Sequence, residues 1–225
     1  MEINILGENY DINLKILKLT TYELYSLPVE ICKLINLEEL YLMNNDLQSL
    51  PVEIGNLHNL QKLDLSSNKL QNLPAENYNL INLKYLYLNE NQLQNLAAKI
   101  FNFINLQILD LSSNKFQSLP AEIGNLGYLK ELYLYYNQLQ ILPVEILKIK
   151  NTLNIDETSY DINNLNIDNQ ILIFGKLGNK LNNLPFNIKE IWLNDYIKNY
   201  DIKLPFECVI KKHNTNYGLH SYLKY

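Results

Sequence analysis

The sequence predicts an α/β solenoid, a right-handed horseshoe with a parallel concave sheet and short helical or 3-10 segments on its convex side. Three observations lead to it. Leu14, Leu37, Leu60, Leu83, Leu106 and Leu129 follow one another at intervals of 23 residues. From them the pattern LxxLxLxxNxLxxLPxxIxxLxx runs on, complete in the second unit as Leu37, Leu40, Leu42, Asn45, Leu47, Leu50, Pro51, Ile54 and Leu57. The fifth unit repeats it as Leu106, Leu109, Leu111, Asn114, Phe116, Leu119, Pro120, Ile123 and Leu126. Self-similarity at such a period marks a stack of supersecondary units, none of which can bury its apolar side alone.

Each element of the unit has a physical reading. The LxL segment alternates apolar and polar residues, as a strand with one buried face must. It places strands at Lys15–Leu19, at Glu39–Tyr41 and at their equivalents every 23 residues. The Leu side chains point inward and the residues between them face the concave side. Asn45, Asn68, Asn91, Asn114 and Asn137 stand where the chain turns off the strand. A buried amide there can satisfy backbone groups of its own turn and of the neighbouring one, which a Leu cannot do. Leu-Pro then opens the return arm, and Ile and Leu at three-residue spacing pack the convex side. Stacking sets the strands in parallel at roughly 4.8 Å steps.

These residues resemble the 23-residue LPxxIxxLxNL class of intracellular leucine-rich repeats, a family of scaffold and adaptor proteins. The resemblance spans about Asn13 to Lys150 and is specific for the fold but nearly silent on function; with no catalytic residues to assemble, an enzyme is not expected. The fold itself hosts receptors, inhibitors, adaptors and effectors alike. Some units depart from the pattern. Tyr22 takes the Asn position in unit one, unit four has Leu96-Ala97 without Pro, and unit three has Asn77 at the convex Ile position. Tyr78 is expected to fold inward there, although drift at a forgiving site is the simpler reading.

After Lys150 the register changes. Ile171–Phe186 aligns with Ile191–Phe206 at an offset of 20, each an apolar strand followed by an Asn/Lys-rich loop and Leu-Pro-Phe. With Leu184–Ile188 reading LPFNI, these units resemble the FNIP-type repeats, which occur in proteins of giant amoeba-infecting viruses of the mimivirus type and of some amoebae. That likeness implies a viral protein acting in host cytoplasm, with a host protein as its partner. The expected organisation is an N-terminal cap at 1–12, six 23-residue repeats at 13–151, divergent units at 152–206 continuing the solenoid, and a C-terminal cap at 207–225.

Composition narrows the function classes. The chain has 225 residues, 19% of them charged, and a net charge of −5. This balance is opposite to the basic footprint of a nucleic-acid or anionic-membrane binder. The two cysteines, Cys32 and Cys208, are too few for a disulfide framework and fit a reducing compartment. No signal-peptide pattern, long apolar run or Asn-x-Ser/Thr acceptor is visible, so the chain is read as cytoplasmic. No cofactor is expected, and the expected state is a monomer.

Three features invite a chemical reading. Gly175–Lys180 follows an apolar strand, but GKLGNK lacks the spacing of a Walker A loop and reads better as a repeat loop. Cys208, His213 and His220 lack a fourth ligand, so a cap cysteine with surface histidines is the simpler account. Cys32 occupies the slot of Gly55 and Gly124 in other units, as a small packed residue would. No Ser, His and Asp arrangement for nucleophilic catalysis can be drawn.

The concave face carries the main functional expectation. Its central column reads Lys18, Tyr41, Asp64, Tyr87, Asp110, Tyr133. On one side run Ile16, Glu39, Lys62, Tyr85, Ile108 and Glu131, and on the other Thr20, Met43, Ser66, Asn89, Ser112 and Tyr135. Tyr41, Asp64, Tyr85, Tyr87, Asp110, Tyr133 and Tyr135 are the expected partner-binding residues, because exposed aromatics on a rigid surface suit interface hot spots. Tyrosine also stabilises sheets with no partner present. The alternative to protein recognition is a structural protein that self-associates through the solenoid.

Overall fold

A computed structural model describes residues 2–74, 79–96, 100, 102–139, 143, 145 and 146, and the backbone of four further strands at 152–155, 171–174, 190–194 and 209–213. Asn77, Tyr78, the Gly175–Lys180 loop, Cys208 and His220 lie outside the described residues, as does the side chain of His213.

The chain opens with an antiparallel hairpin, β1 (Glu2–Ile5) and β2 (Glu8–Asp11). Leu6 and Gly7 both have positive φ, 53° and 87°, the backbone of the two-residue turn that suits a twisted hairpin. Ile5 is buried, and the hairpin packs on the 3-10 turn Val29–Lys33 at the end of the core.

Six three-residue strands follow: β3 (Ile16–Lys18), β4 (Glu39–Tyr41), β5 (Lys62–Asp64), β6 (Tyr85–Tyr87), β7 (Ile108–Asp110) and β8 (Glu131–Tyr133). They pair in parallel, each residue with its equivalent 23 positions on. The return arms carry 3-10 turns at Val29–Lys33, Val52–Asn56 and Ala121–Asn125, each entered through a proline. A proline there supplies its fixed φ where no N–H is needed. The result is a leucine-rich-repeat solenoid.

The core is a set of apolar columns. Leu17, Leu40, Leu63, Leu86, Leu109 and Leu132 point inward from the strand centres and are buried, as are Leu19, Leu42, Leu65, Leu88, Leu111 and Leu134 two residues on. Phe103 and Phe116 fill the largest buried positions. Cys32 and Gly124 occupy equivalent slots, and at Gly124 the slot is tight. A Cβ on Gly124 would meet the Glu145 carbonyl oxygen at 2.6 Å, and the buried Cys32 thiol has its pKa pushed up to about 12, chiefly by desolvation.

Where the chain leaves each strand, one residue takes a left-handed conformation: Asn44, Ser67, Glu90, Ser113 and Tyr136, all with φ between 51° and 56°. Such a residue costs on the order of 1 kcal/mol and persists only where its surroundings over-determine it. The next residue does so. Asn91 Nδ2 donates to the Leu65 and Leu88 carbonyls at 2.9 and 3.1 Å, and its Oδ1 accepts the Leu70 N–H at 2.9 Å. Asn45, Asn68 and Asn114 make the same bonds and are buried. Asn137 also makes them but is half-buried, unlike the other four. In unit one the Tyr22 ring is exposed, and its N–H donates to Asn45 Oδ1.

Four more parallel strands extend the sheet: β9 (Thr152–Ile155), β10 (Ile171–Phe174), β11 (Glu190–Asn194) and β12 (Val209–His213). Their register corrects the 20-residue offset. Ile171 pairs with Glu190 and Leu172 with Ile191, a step of 19. This keeps Leu132, Leu153, Leu172, Ile191 and Ile210 in one row. A slip of one residue would exchange the two faces of every strand, so the extra residue falls in the connection instead.

Candidate functional site: the concave face

The sheet gathers the expected partner-binding residues into adjoining rows, but it does not leave all of them open. Tyr87 is only 4% exposed, Asp64 6% and Asp110 7%. The expectation that these residues form an exposed patch is therefore corrected for Tyr87, Asp64 and Asp110. Strands one hydrogen-bonding step apart bring a ring against each neighbouring short carboxylate, so rings and carboxylates shield one another. Tyr41, Tyr85, Tyr133 and Tyr135 are half-buried and form the accessible part of the set.

Both aspartates are held locally. Asp64 Oδ1 accepts from the Ser66 N–H at 3.1 Å and from Ser66 Oγ at 2.6 Å. Asp110 Oδ1 accepts from the Ser112 N–H at 2.9 Å and from Ser112 Oγ at 2.5 Å. Two of the tyrosines bond to a glutamate on their own strand. Tyr41 Oη donates to Glu39 Oε2 at 2.6 Å, and Tyr133 Oη donates to Glu131 Oε2. The hydroxyls of Tyr41, Tyr87, Tyr133 and Tyr135 all have pKa values well above the ordinary range. Burial is the main cause, and nearby carboxylates add to it: Glu39 and Asp64 for Tyr41, Asp64, Glu131 and Asp110 for Tyr87, Glu131 and Asp110 for Tyr133, Asp110 and Glu90 for Tyr135.

Cations enter at the N-terminal end. Lys18 Nζ lies 5.4 Å from the Tyr41 ring centroid, and Lys62 Nζ lies 4.8 Å from Tyr41 and 5.3 Å from Tyr87. At the other end the rings contact one another. Tyr135 stands edge-on to Tyr133 at 6.3 Å and to Tyr136 at 5.4 Å. Between the Ser66 and Ser112 rows, buried Asn89 keeps its Oδ1 without a hydrogen-bond partner among the described residues.

Sequence reasoning placed Lys62, Ser66, Asn89 and Ser112 on this face without giving them roles. The Asp-x-Ser spacing in units three and five was a usable signal, because an i, i+2 pair on a strand shares one face. A second asparagine series went unread. Asn36, Asn59, Asn82 and Asn105 each donate from Nδ2 to a carbonyl of the preceding unit, those of Ile12, Ile35, His58 and Ile81. Their 23-residue spacing was visible in the LxNL segment.

The face offers half-buried aromatic surface, fixed carboxylates and bound lysines. Among the described residues no group of three or more His, Cys, Asp or Glu could hold a metal ion, and no helix is long and apolar enough to cross a membrane.

Comparison with known proteins agrees with the fold. Residues 81–139 match the leucine rich repeat family model, and residues 35–77 and 58–99 match the model for two copies of the leucine-rich repeat. Among curated proteins nothing matches. A leucine-rich-repeat protein of Leptospira interrogans is 28% identical over 84% of this chain and 76% of its own, with a TM-score of 0.41. A plant ice-binding protein is 21% identical over 84% of this chain, which spans 60% of that protein, with a TM-score of 0.53. At that identity the likeness concerns the fold alone. Residues 35–139 thus match leucine-rich-repeat models.

Proposed function

We propose that the concave face binds a partner protein and that the chain acts as an interaction module without catalysis of its own. The observation that carries this reading is the set of half-buried tyrosines, Tyr41, Tyr85, Tyr133 and Tyr135, on a rigid sheet. Rings already held by neighbours present contact area at low entropic cost, which is how aromatic hot spots work. Repeats of this family commonly serve protein interaction. The two central aspartates are engaged by serines, which suits fixed recognition charge better than proton transfer.

The proposed partner is a protein of the cytoplasm, a host protein on the FNIP-type viral resemblance of the later units, and not nucleic acid or membrane. The chain is proposed to be a monomer. The test is capture from a host lysate by the wild type, Tyr85→Ala and Tyr133→Ala, with light scattering alongside. A partner retained by the wild type and lost by both folded variants is the expected result. Capture indifferent to both variants overturns the assignment of the face. A discrete oligomer with no captured partner turns the reading to self-assembly.

A further inference from the structure

The sheet carries the concave rows well beyond the tyrosines. Register partners on adjacent strands share a face. The central row that runs from Lys18 to Tyr133 therefore continues through Asn154, Ile173, Trp192 and Lys211. The row beside it continues from Glu131 through Thr152, Ile171, Glu190 and Val209. Trp192 is the single tryptophan of the chain. Its place is on β11, in the central concave row, between Ile173 and Lys211.

The two rows change character along the sheet. Each strand from β3 to β8 has a charged residue or a tyrosine at one or both of these positions. On β10 both are isoleucine. That strand reads Ile-Leu-Ile-Phe, and Leu172 continues the inward row of Leu132 and Leu153. A strand with one face on the core and the other in water alternates, whereas an unbroken apolar run belongs to a strand covered on both sides. The inward row accounts for one side of β10. On the other side Ile171, Ile173 and, one strand on, Trp192 form an apolar patch on the face that is polar and tyrosine-lined from β3 to β8.

We propose that the binding surface of the concave face extends across β10 and β11, and that Ile171, Ile173 and Trp192 receive aliphatic or aromatic side chains of the partner protein. This rests on the reading that the concave face binds protein. The patch prolongs the rows of Tyr85 and Tyr133, so one partner can span both. Tryptophan is enriched at interface hot spots, where surrounding contacts exclude water. Charge selects the occupant. The two rows hold no charged residue on β9 or β10, so an apolar side chain docks there without stranding a charge or a polar group. Glu190 and Lys211 adjoin the patch in the register, as the polar rim of an interface adjoins its apolar centre.

Trp192 reports on its own surroundings, because no other indole contributes to the emission. The full chain is examined by acrylamide quenching and by titration with N-phenyl-1-naphthylamine, an uncharged apolar fluorophore that accepts energy from tryptophan. Trp192 is expected to be quenched nearly as readily as N-acetyltryptophanamide at every protein concentration, and transfer to the probe is expected to saturate. The double variant Ile171→Thr, Ile173→Thr keeps β-branched residues on the strand and should weaken probe binding roughly tenfold. Shielding of Trp192 in dilute protein overturns the proposal, since the chain then covers its own patch. Shielding that grows with concentration overturns it in favour of a second copy of the chain. Absent transfer, or undiminished probe binding by the folded double variant, overturns it as well. Should the double variant fail to fold, quenching and transfer in the wild type decide. Tyr85 and Tyr133 are unaltered in these measurements, so their failure is separable from failure of the capture experiment.

Discussion

Two asparagine series run through this solenoid with the same 23-residue period, and they differ in what surrounds them. The inner one, Asn45 to Asn137, stands at the strand exits. Each of its members links at least two carbonyls and one N–H across two units, and its first four members are buried. The outer one, Asn36 to Asn105, makes one backbone bond per residue to the preceding unit at positions open or half-open to water. Both tie neighbouring units together. Only the inner series leaves buried backbone groups without water as a substitute partner, so recurrence alone does not measure energetic weight.

The largest separation between the two is expected from Asn91→Asp. The carboxylate keeps an acceptor for the Leu70 N–H but turns negative oxygen toward the Leu65 and Leu88 carbonyls in a buried site. A loss of about 4 kcal/mol or more at neutral pH is expected. Burial raises the folded-state pKa of such an aspartate above its unfolded value near 3.9. The folded state then binds more protons in that interval, so the variant should recover relative to wild type as pH falls through the folded pKa. Urea unfolding at several pH values measures this, and a variant–wild type gap that ignores pH removes the buried-charge account.

Asn91→Ala comes next, at about 3 kcal/mol, because it orphans the same three groups without adding charge. Asn137→Ala should cost roughly 1 kcal/mol, since its half-buried groups can reach water. Equal losses at the two positions would show that burial does not set the weight of the inner series.

Tyr87→Ala extends the contrast to the concave face. At 4% exposure the ring is packed like a core residue, and its removal should lower stability by roughly 2 kcal/mol, below the cost of a fully enclosed aromatic. Half-buried Tyr85→Ala should stay within about 1 kcal/mol. Thermal denaturation of the pair checks it. If Tyr87→Ala melts with the wild type, the rows of the concave face do not support one another.

Legibility followed the period. The strands, the return turns and the inward leucine columns were readable because each is set by an apolar pattern within one unit. The accessibility of Tyr87, Asp64 and Asp110 was not, since alternation tells which face a side chain takes but not how tightly adjacent rows close over it. The 19-residue step of the later strands was missed for a related reason. Aligning Leu-Pro-Phe segments tracks the connection, whereas the register is fixed by strand centres such as Leu172 and Ile191. The hairpin at Glu2–Asp11 turned on Leu6 taking positive φ beside Gly7, an unusual place for a leucine.

The smallest effect is expected from the outer series. Asn82 Nδ2 donates to the His58 carbonyl at 2.8 Å, shorter than all but one bond of the inner series. Bond length does not decide the outcome, because both groups sit where water can replace either partner. Removing the amide exchanges a protein–protein bond for two protein–water bonds and frees a side chain that folding had ordered. Those terms nearly cancel, so Asn82→Ala should change stability by no more than about 0.5 kcal/mol. The alanine is also a single-unit probe of cooperativity: in a linear stack, a local change of that size should move the unfolding midpoint slightly and leave the urea m-value unaltered. A loss approaching that of Asn91→Ala would mean that the outer bonds hold the unit-to-unit spacing itself, and exposure would cease to separate the two series.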